Sequence, residues 1–254
     1  MSILIATTGL TKRFNALTAV NRVDLTVHEG QTSGIIGPNG SGKTTLFNLL
    51  SGYFPPTEGK IMFQGQDLTR ISSPKRVAMG IARTFQLVSV FTSLTVWENL
   101  VLSNARFNHE ETKPFNFFMR NSRRKTIMGN CERALDWVGL TQKADVATAE
   151  LSYGDKRLLE LAIVLSLEPK LLLLDEPLAG LSDHEITQVL ELIQRVKQRL
   201  TVVIIEHKIS KIVDLINQLN VMNEGRLICE GSPEQVLADE RVRECYWGKE
   251  QTGA

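Results

Sequence analysis

Residues 37–45 read Gly37-Pro38-Asn39-Gly40-Ser41-Gly42-Lys43-Thr44-Thr45, a complete G-x-x-x-x-G-K-T. The chemistry of that spacing is phosphate binding. Glycines let the backbone close around the oxygens, the N–H groups of Gly40 through Thr45 converge, and a helix N-terminus adds partial positive charge. Lys43 is placed to reach the β- and γ-phosphates and the Thr44 hydroxyl to ligate Mg²⁺. A second group of residues, Asp175-Glu176-Pro177, ends the apolar run Leu171 to Leu174. Two carboxylates at the end of a buried strand suit a metal and a water: Asp175 is expected to hold magnesium and Glu176 to polarise the attacking water as general base. A third apolar run, 201–205, ends in Glu206-His207, where a histidine can touch a γ-phosphate; a lone histidine is more often a bland core or surface residue. Residues 151–157, LSYGDKR, place Ser152 and Gly154 at a helix head, where free backbone N–H groups can hold an anion, and then set Asp155 directly after the glycine.

These residues need elements to carry them. The runs SGIIG at 33–37, KLLLLDEP at 170–177 and TVVIIEHK at 201–208 are apolar throughout, the pattern of parallel strands buried on both faces. Between them come helical patterns, TTLFNLLSG ending at Gly52 and EITQVLELIQRVKQRL at 185–200, so strand and helix alternate as in an α/β fold. The opening runs ILIATTGL, NRVDLTVHEG and KIMFQGQDL are separated by turn residues and predict a small, mostly antiparallel layer. Residues 87–160 carry helical patterns without strand runs. NVMNEGRLICEG at 220–231 predicts a hairpin around Asn223 to Gly225, and a polar helical tail follows from Pro233.

Composition removes several function classes. A net charge of +1 supplies no basic footprint, so no nucleic-acid partner is expected. The three cysteines, Cys131, Cys229 and Cys245, are widely spaced and lack metal-like pairing, which fits a reduced compartment. The N-terminus lacks the basic and long apolar regions of a signal peptide, and no run approaches the ~18 uninterrupted apolar residues of a membrane span.

Taken in order, the phosphate loop, Gln86 in RTFQ, LSYGDKR, LLLLDEP and His207 follow the element sequence of one family. The chain resembles the ATP-binding subunits of ABC transporters over nearly its whole length. The resemblance implies an α/β P-loop NTPase core with an antiparallel β subdomain and an inserted α-helical subdomain. As a single domain over 1–254, the core would be 1–86 and 161–232, the helical subdomain 87–160 and the helical tail 233–254. It further implies head-to-tail dimerisation of two cassettes, identical or related, with ATP between each phosphate loop and the partner's LSYGD segment. Ser152 and Gly154 would then hold the γ-phosphate bound to the other subunit's Lys43. Phe14 in TKRF matches the aromatic that stacks on adenine, against the plainer reading of a buried strand phenylalanine. Gln86 matches the glutamine that contacts metal and attacking water, and His207 matches the switch histidine. Residues Ala179 to Ser182 match the loop that crosses the dimer interface, with Ser182 where many cassettes carry aspartate. Asp155 stands where most carry glutamine; as third helical residue it is expected to reach back to the N–H of the cap, with Lys156 and Arg157 offsetting its charge.

The wording around the motifs, ARTFQLVSVFTSLTVWENL and the aromatic third position of LSYGDKR, is similar to the ATP-binding subunits of the branched-chain amino-acid importers. That resemblance implies two transmembrane permease subunits, an extracytoplasmic substrate-binding protein and a peripheral place on the inner membrane face. Val88, Val90, Phe91, Leu94 and Trp97 would line the groove for a permease coupling helix, or pack as core. Urea, amides and other small polar solutes stay open beside amino acids. The stretch 108–125 mixes Phe115, Phe117 and Phe118 with Arg120, Arg123, Arg124 and Lys125; a solvated helix with inward phenylalanines is the plainer reading, an anionic membrane face the other.

Overall fold

The computed structural model describes residues 2–84, 90–107 and 117–247, without the side chains of 105–107, 117–124 and 246–247. Gln86 and Val88 lie outside the described residues, as do Phe115 and the side chains of Phe117, Phe118, Arg120, Arg123 and Arg124; Lys125 is exposed.

The chain opens with β1 (Ile3–Phe14), β2 (Leu17–Val23) and β3 (Thr26–His28), then enters β4 (Thr32–Ile36) and α1 (Lys43–Ser51). Next come β5 (Glu58–Phe63), β6 (Gln66–Asp67), α2 (Ser73–Ala78) and β7 (Ile81–Arg83). The middle is helical, α3 (Val96–Phe107), α4 (Phe117–Val138) and α5 (Tyr153–Ser166), with an isolated bridge between Thr95 and Ala147. Then follow β8 (Leu171–Asp175), α6 (Asp183–Val196), β9 (Thr201–Ile205), α7 (Ile209–Ile212), β10 (Gln218–Asn223), β11 (Arg226–Gly231), α8 (Pro233–Ala238) and α9 (Glu240–Trp247).

Two sheets result. The first, β2-β1-β5-β6 with β3 also on β1, is antiparallel throughout, as the opening runs predicted. The second has the order β11-β10-β4-β9-β8-β7, parallel except for the β10–β11 hairpin. That hairpin turns on Glu224 (φ 47°) and Gly225 (φ 76°), two left-handed positions that match the strand twist.

Every residue of β4, β8 and β9 is buried, because both faces of the parallel sheet are covered. Alternation divides β8 cleanly: Leu171 and Leu173 join Leu46, Phe47 and the antiparallel sheet, while Leu172 and Leu174 join the α3, α4, α5 and α6 side. Register then sets the site. Asp175 pairs with Ile205, and Ile205 pairs with Ile35, so the three strands end at one level and shed their loops at one carboxyl edge.

Differences from the sequence reading have local causes. NRVDLTVHEG makes two strands because the chain breaks at Asp24-Leu25. β7 is a three-residue edge strand, too short for any periodic signal. The helix expected at 185–200 begins at Asp183 because Ser182 caps it, and its regular part ends at Val196. The expected subdomain boundary at 160 falls within α5. Among the described residues no helix is long and apolar enough to cross a membrane.

Candidate active site

The phosphate loop leaves β4 and closes on α1 as the motif requires. A Cβ at Gly37 would collide with the Met222 carbonyl and Ser41 Oγ, and one at Gly42 (φ 100°) with the Ala19 carbonyl, so neighbouring strands press the loop into shape. The Gly225 N–H donates to the Ser41 carbonyl at 3.0 Å, bracing the loop on the β10–β11 turn. Asn39 and Gly40 are exposed, Ser41 and Lys43 are buried, and Thr44 and Thr45 are half-buried. Lys43 Nζ donates to the carbonyls of Gly37 at 2.8 Å and Pro38 at 3.0 Å. Burial lowers its pKa, and the negative charges of Glu176 and Asp175 raise it in opposition, which places both acids within electrostatic reach of the ammonium.

Asp175 is fully buried. Its Oδ2 accepts from Arg83 at 2.7 Å, and Arg83 also donates to Asn48 and Ser51 of α1, tying α1, β7 and β8 together. Among the described residues Asp175 Oδ1 has no hydrogen-bond partner. Burial pushes the Asp175 pKa up and the Arg83 guanidinium pulls it back. A buried carboxylate oxygen left orphaned is what a hard cation would satisfy. With the Thr44 hydroxyl, the residues present fit Mg²⁺. Among the described residues no cluster of three or more His, Cys, Asp or Glu could hold a metal.

Glu176 adopts φ 48°, a left-handed backbone that costs a non-glycine residue on the order of 1–3 kcal/mol. It is held there by its N–H donating to the Ile205 carbonyl at 2.9 Å and its carbonyl accepting from Arg157 at 2.7 Å. Its Oε1 lies 3.0 Å from His207 Nε2. The structure therefore brings Glu176 and His207 together, as the sequence order anticipates. Glu206 is buried beside them and accepts from the N–H groups of Leu178 at 2.9 Å and His207 at 3.1 Å, fastening two loops; burial raises its pKa.

Arg157 corrects an expectation. Far from offsetting Asp155 at the surface, it is 1% exposed and donates to the carbonyls of Asp175, Glu176 and Pro177, with Glu160 as its ion-pair partner at 2.6 Å. The cation that pairs with Asp155 is Lys143, at 2.6 Å. The cap is also only half as expected: Ser152 Oγ accepts from the Asp155 N–H at 3.0 Å, but the Asp155 carboxylate turns to Lys143 instead of back to the cap. Ser182 has a local reason to be serine, since it caps α6 in a full capping box with Glu185. Among the described residues no hydrogen bond joins Ser152 or Gly154 to the phosphate loop of the same chain.

Phe14 is 42% exposed at the end of β1, so the buried-strand alternative does not hold. It meets Phe54 edge to face at 5.4 Å, with Lys12 Nζ 5.2 Å from its ring centroid and exposed Tyr53 alongside Phe54. Val90, Leu94 and Trp97 are half-buried, whereas Phe91 is exposed and its backbone is held by Asn99. Sequence reading missed Arg83, Arg157 and the Tyr53–Phe54 pair. Arginines next to motifs look like surface charge until burial is known.

A family model described as ABC transporter matches residues 20–179, and one described as branched-chain amino acid ATP-binding cassette transporter matches residues 226–250. The chain is 35% identical over 252 residues to the "High-affinity branched-chain amino acid transport ATP-binding protein LivG" of Escherichia coli (strain K12), covering 97% of this chain and 98% of that protein. It is 36% identical, with the same coverage, to the protein of corresponding name BraF from Pseudomonas aeruginosa, and 32% identical to a probable LivG of Archaeoglobus fulgidus. Among solved structures, an ATP-binding cassette of an ABC transporter in its ADP conformation matches with TM-score 0.85 and 30% identity, covering 98% of this chain and all of that one. A nucleotide-free cassette matches with TM-score 0.84, also at 30% identity, covering 97% of this chain and 100% of that one.

Proposed function

The chain belongs to the ABC transporter family of ATP-binding cassettes, and from that premise we propose that it is the Mg²⁺-dependent motor subunit of an importer for branched-chain or other amino acids. As a family member it is an α/β P-loop NTPase whose ATPase activity powers transport. The observation that carries the catalytic assignment is Glu176, held in a left-handed turn one residue past the buried Asp175 and 3.0 Å from His207. Lys43 and the loop N–H groups of Gly40 to Thr45 bind the phosphates, Phe14 carries adenine, and Thr44, Asp175 and Gln86 are assigned to the metal. Magnesium held by those residues would supply positive charge against the phosphates. Glu176 accepts the proton of the attacking water, and His207 orients the Glu176 carboxylate and touches the γ-phosphate.

Two cassettes close head to tail, each offering Ser152 and Gly154 to the nucleotide on the other's loop, and closure moves two permease subunits fed by an extracytoplasmic binding protein. The chain sits on the inner membrane face through those permeases. The amino-acid assignment is supported by the names of its relatives and by the match at residues 226–250. Reconstitution with permease subunits tests the reading: binding protein loaded with leucine or isoleucine should stimulate ATP hydrolysis. Stimulation by urea or an amide and not by any amino acid would overturn the substrate class.

A further inference from the structure

At the head of α5 the first-turn N–H groups have no intrahelical partners. Ser152 Oγ takes that of Asp155. The backbone of Gly154 faces the side chain of Glu185, three residues into α6: the Glu185 Oε1 lies so close that a Cβ at position 154 would collide with the carboxylate. The other oxygen, Oε2, accepts from the Ser182 N–H at 2.8 Å and from the Ser182 hydroxyl at 2.6 Å. These Ser182 bonds hold Glu185 below the usual carboxylate range. The Tyr153 ring lies across Gly180, fixing the 179–182 loop against the same helix head. Asp155 nearby has its charge met by Lys143, whereas among the described residues Glu185 has no Lys or Arg within ion-pair distance.

We propose that Glu185 is a resident anion in the seat that the partner's γ-phosphate must take, so that Gly154 offers its N–H to nucleotide only after the Glu185 carboxylate swings away. The proposal rests on the head-to-tail reading given above. With the Glu185 carboxylate lying against the Gly154 backbone, an arriving phosphate meets a second negative charge a few ångströms away, and the two repel in the low-dielectric setting of a closed interface. Glu185 is suited to leave, because Ser182 retains Oε2 while Oε1 is released. Its return after phosphate departs favours reopening, and the 179–182 loop, attached through Ser182, senses the exchange.

Glutamine at the third helical position preserves a capping box while removing the charge, so Glu185→Gln separates the gate from the cap. In a Glu176→Gln parent, sedimentation velocity against ATP concentration should show half-maximal dimerisation at about tenfold lower ATP when Glu185→Gln is added, with the thermal midpoint unchanged. Unchanged or weaker dimerisation in the double variant, beside a parent that dimerises, would overturn the gate. A parent that stays monomeric at saturating ATP overturns the head-to-tail reading itself, and the gate with it. In the monomer without nucleotide, the Gly154 amide resonance should shift markedly in Glu185→Gln; an unmoved resonance also counts against the proposal.

Discussion

In the proposed dimer two places of the molecule receive the same phosphate, and they are kept in different ways. In the phosphate loop the receiving cation, Lys43, rests on two neutral carbonyls of its own loop. At the head of α5 the Gly154 backbone lies against the Glu185 carboxylate. Exchanging carbonyls for a phosphate gains an ion pair, whereas exchanging a carboxylate for a phosphate only swaps anions. On the proposed head-to-tail arrangement, the loop is the source of nucleotide affinity, and the helix head decides when a loaded subunit closes on its partner. Between the two stands Arg157, which starts in α5 and holds the carbonyls of the acid turn that faces the loop.

The largest expected effect strikes the loop side. Glu176→Gln should lower the hydrolysis rate by about 10²–10⁴, the range for loss of a general base, while ATP binding persists. Single-turnover kinetics measure both, and a variant that hydrolyses normally would remove Glu176 from the assigned role. Next is the connection between the two seats. Arg157→Met removes its buried ion pair with Glu160 and its bonds to the Asp175, Glu176 and Pro177 carbonyls, and should destabilise the fold by roughly 3–5 kcal/mol in urea unfolding; a loss under about 1 kcal/mol would mean that the acid turn holds itself.

The Lys43 amine gives a pH signature. Its pKa is depressed, so it loses its proton below the ordinary lysine value of 10.5. Phosphate binding needs the protonated form, so ATP affinity should fall on the alkaline side starting below that value; calorimetric titration from neutral to alkaline pH follows it. In the unliganded protein the sign is opposite. A lysine whose folded pKa is depressed binds fewer protons folded than unfolded, so its burial penalty eases and stability rises as pH climbs from the folded value toward 10.5. The smallest effect concerns the helix head. Asp155 pairs with Lys143 at a partly exposed site, so Asp155→Gln should change stability by at most about 1 kcal/mol and ATP-driven dimerisation by less than a few-fold. A much weaker dimer would give Asp155 a role across the interface.

Much of this was legible in the residues themselves. Three unbroken apolar runs specified β4, β8 and β9, because a strand covered on both faces leaves no polar alternation. The turn residues Glu224-Gly225 specified the hairpin through the sign of φ. The motif order located Lys43, Asp175, Glu176 and His207 at one sheet edge, and the shared register of Asp175, Ile205 and Ile35 is the physical reason they meet there. What stayed hidden was direction. Nothing in LSYGDKR says that Arg157 points inward and Asp155 outward, since both lie in one helical turn and the choice depends on what packs beside each. Glu185 reads in sequence as an ordinary helix-start acid, and only the fold brings it onto Gly154, thirty-one positions earlier.

The central claim is that the two seats for one phosphate lie on different copies of the chain, and mixing two defective variants tests it directly. Lys43→Ala disables the loop and Ser152→Arg blocks the helix head, so neither alone should dimerise with ATP. Mixed in equal amounts, they form a pair in which both defects share one interface site and the other site is intact. The account predicts that the mixture dimerises with ATP, one nucleotide trapped per pair. A mixture that stays as monomeric as its components would contradict it.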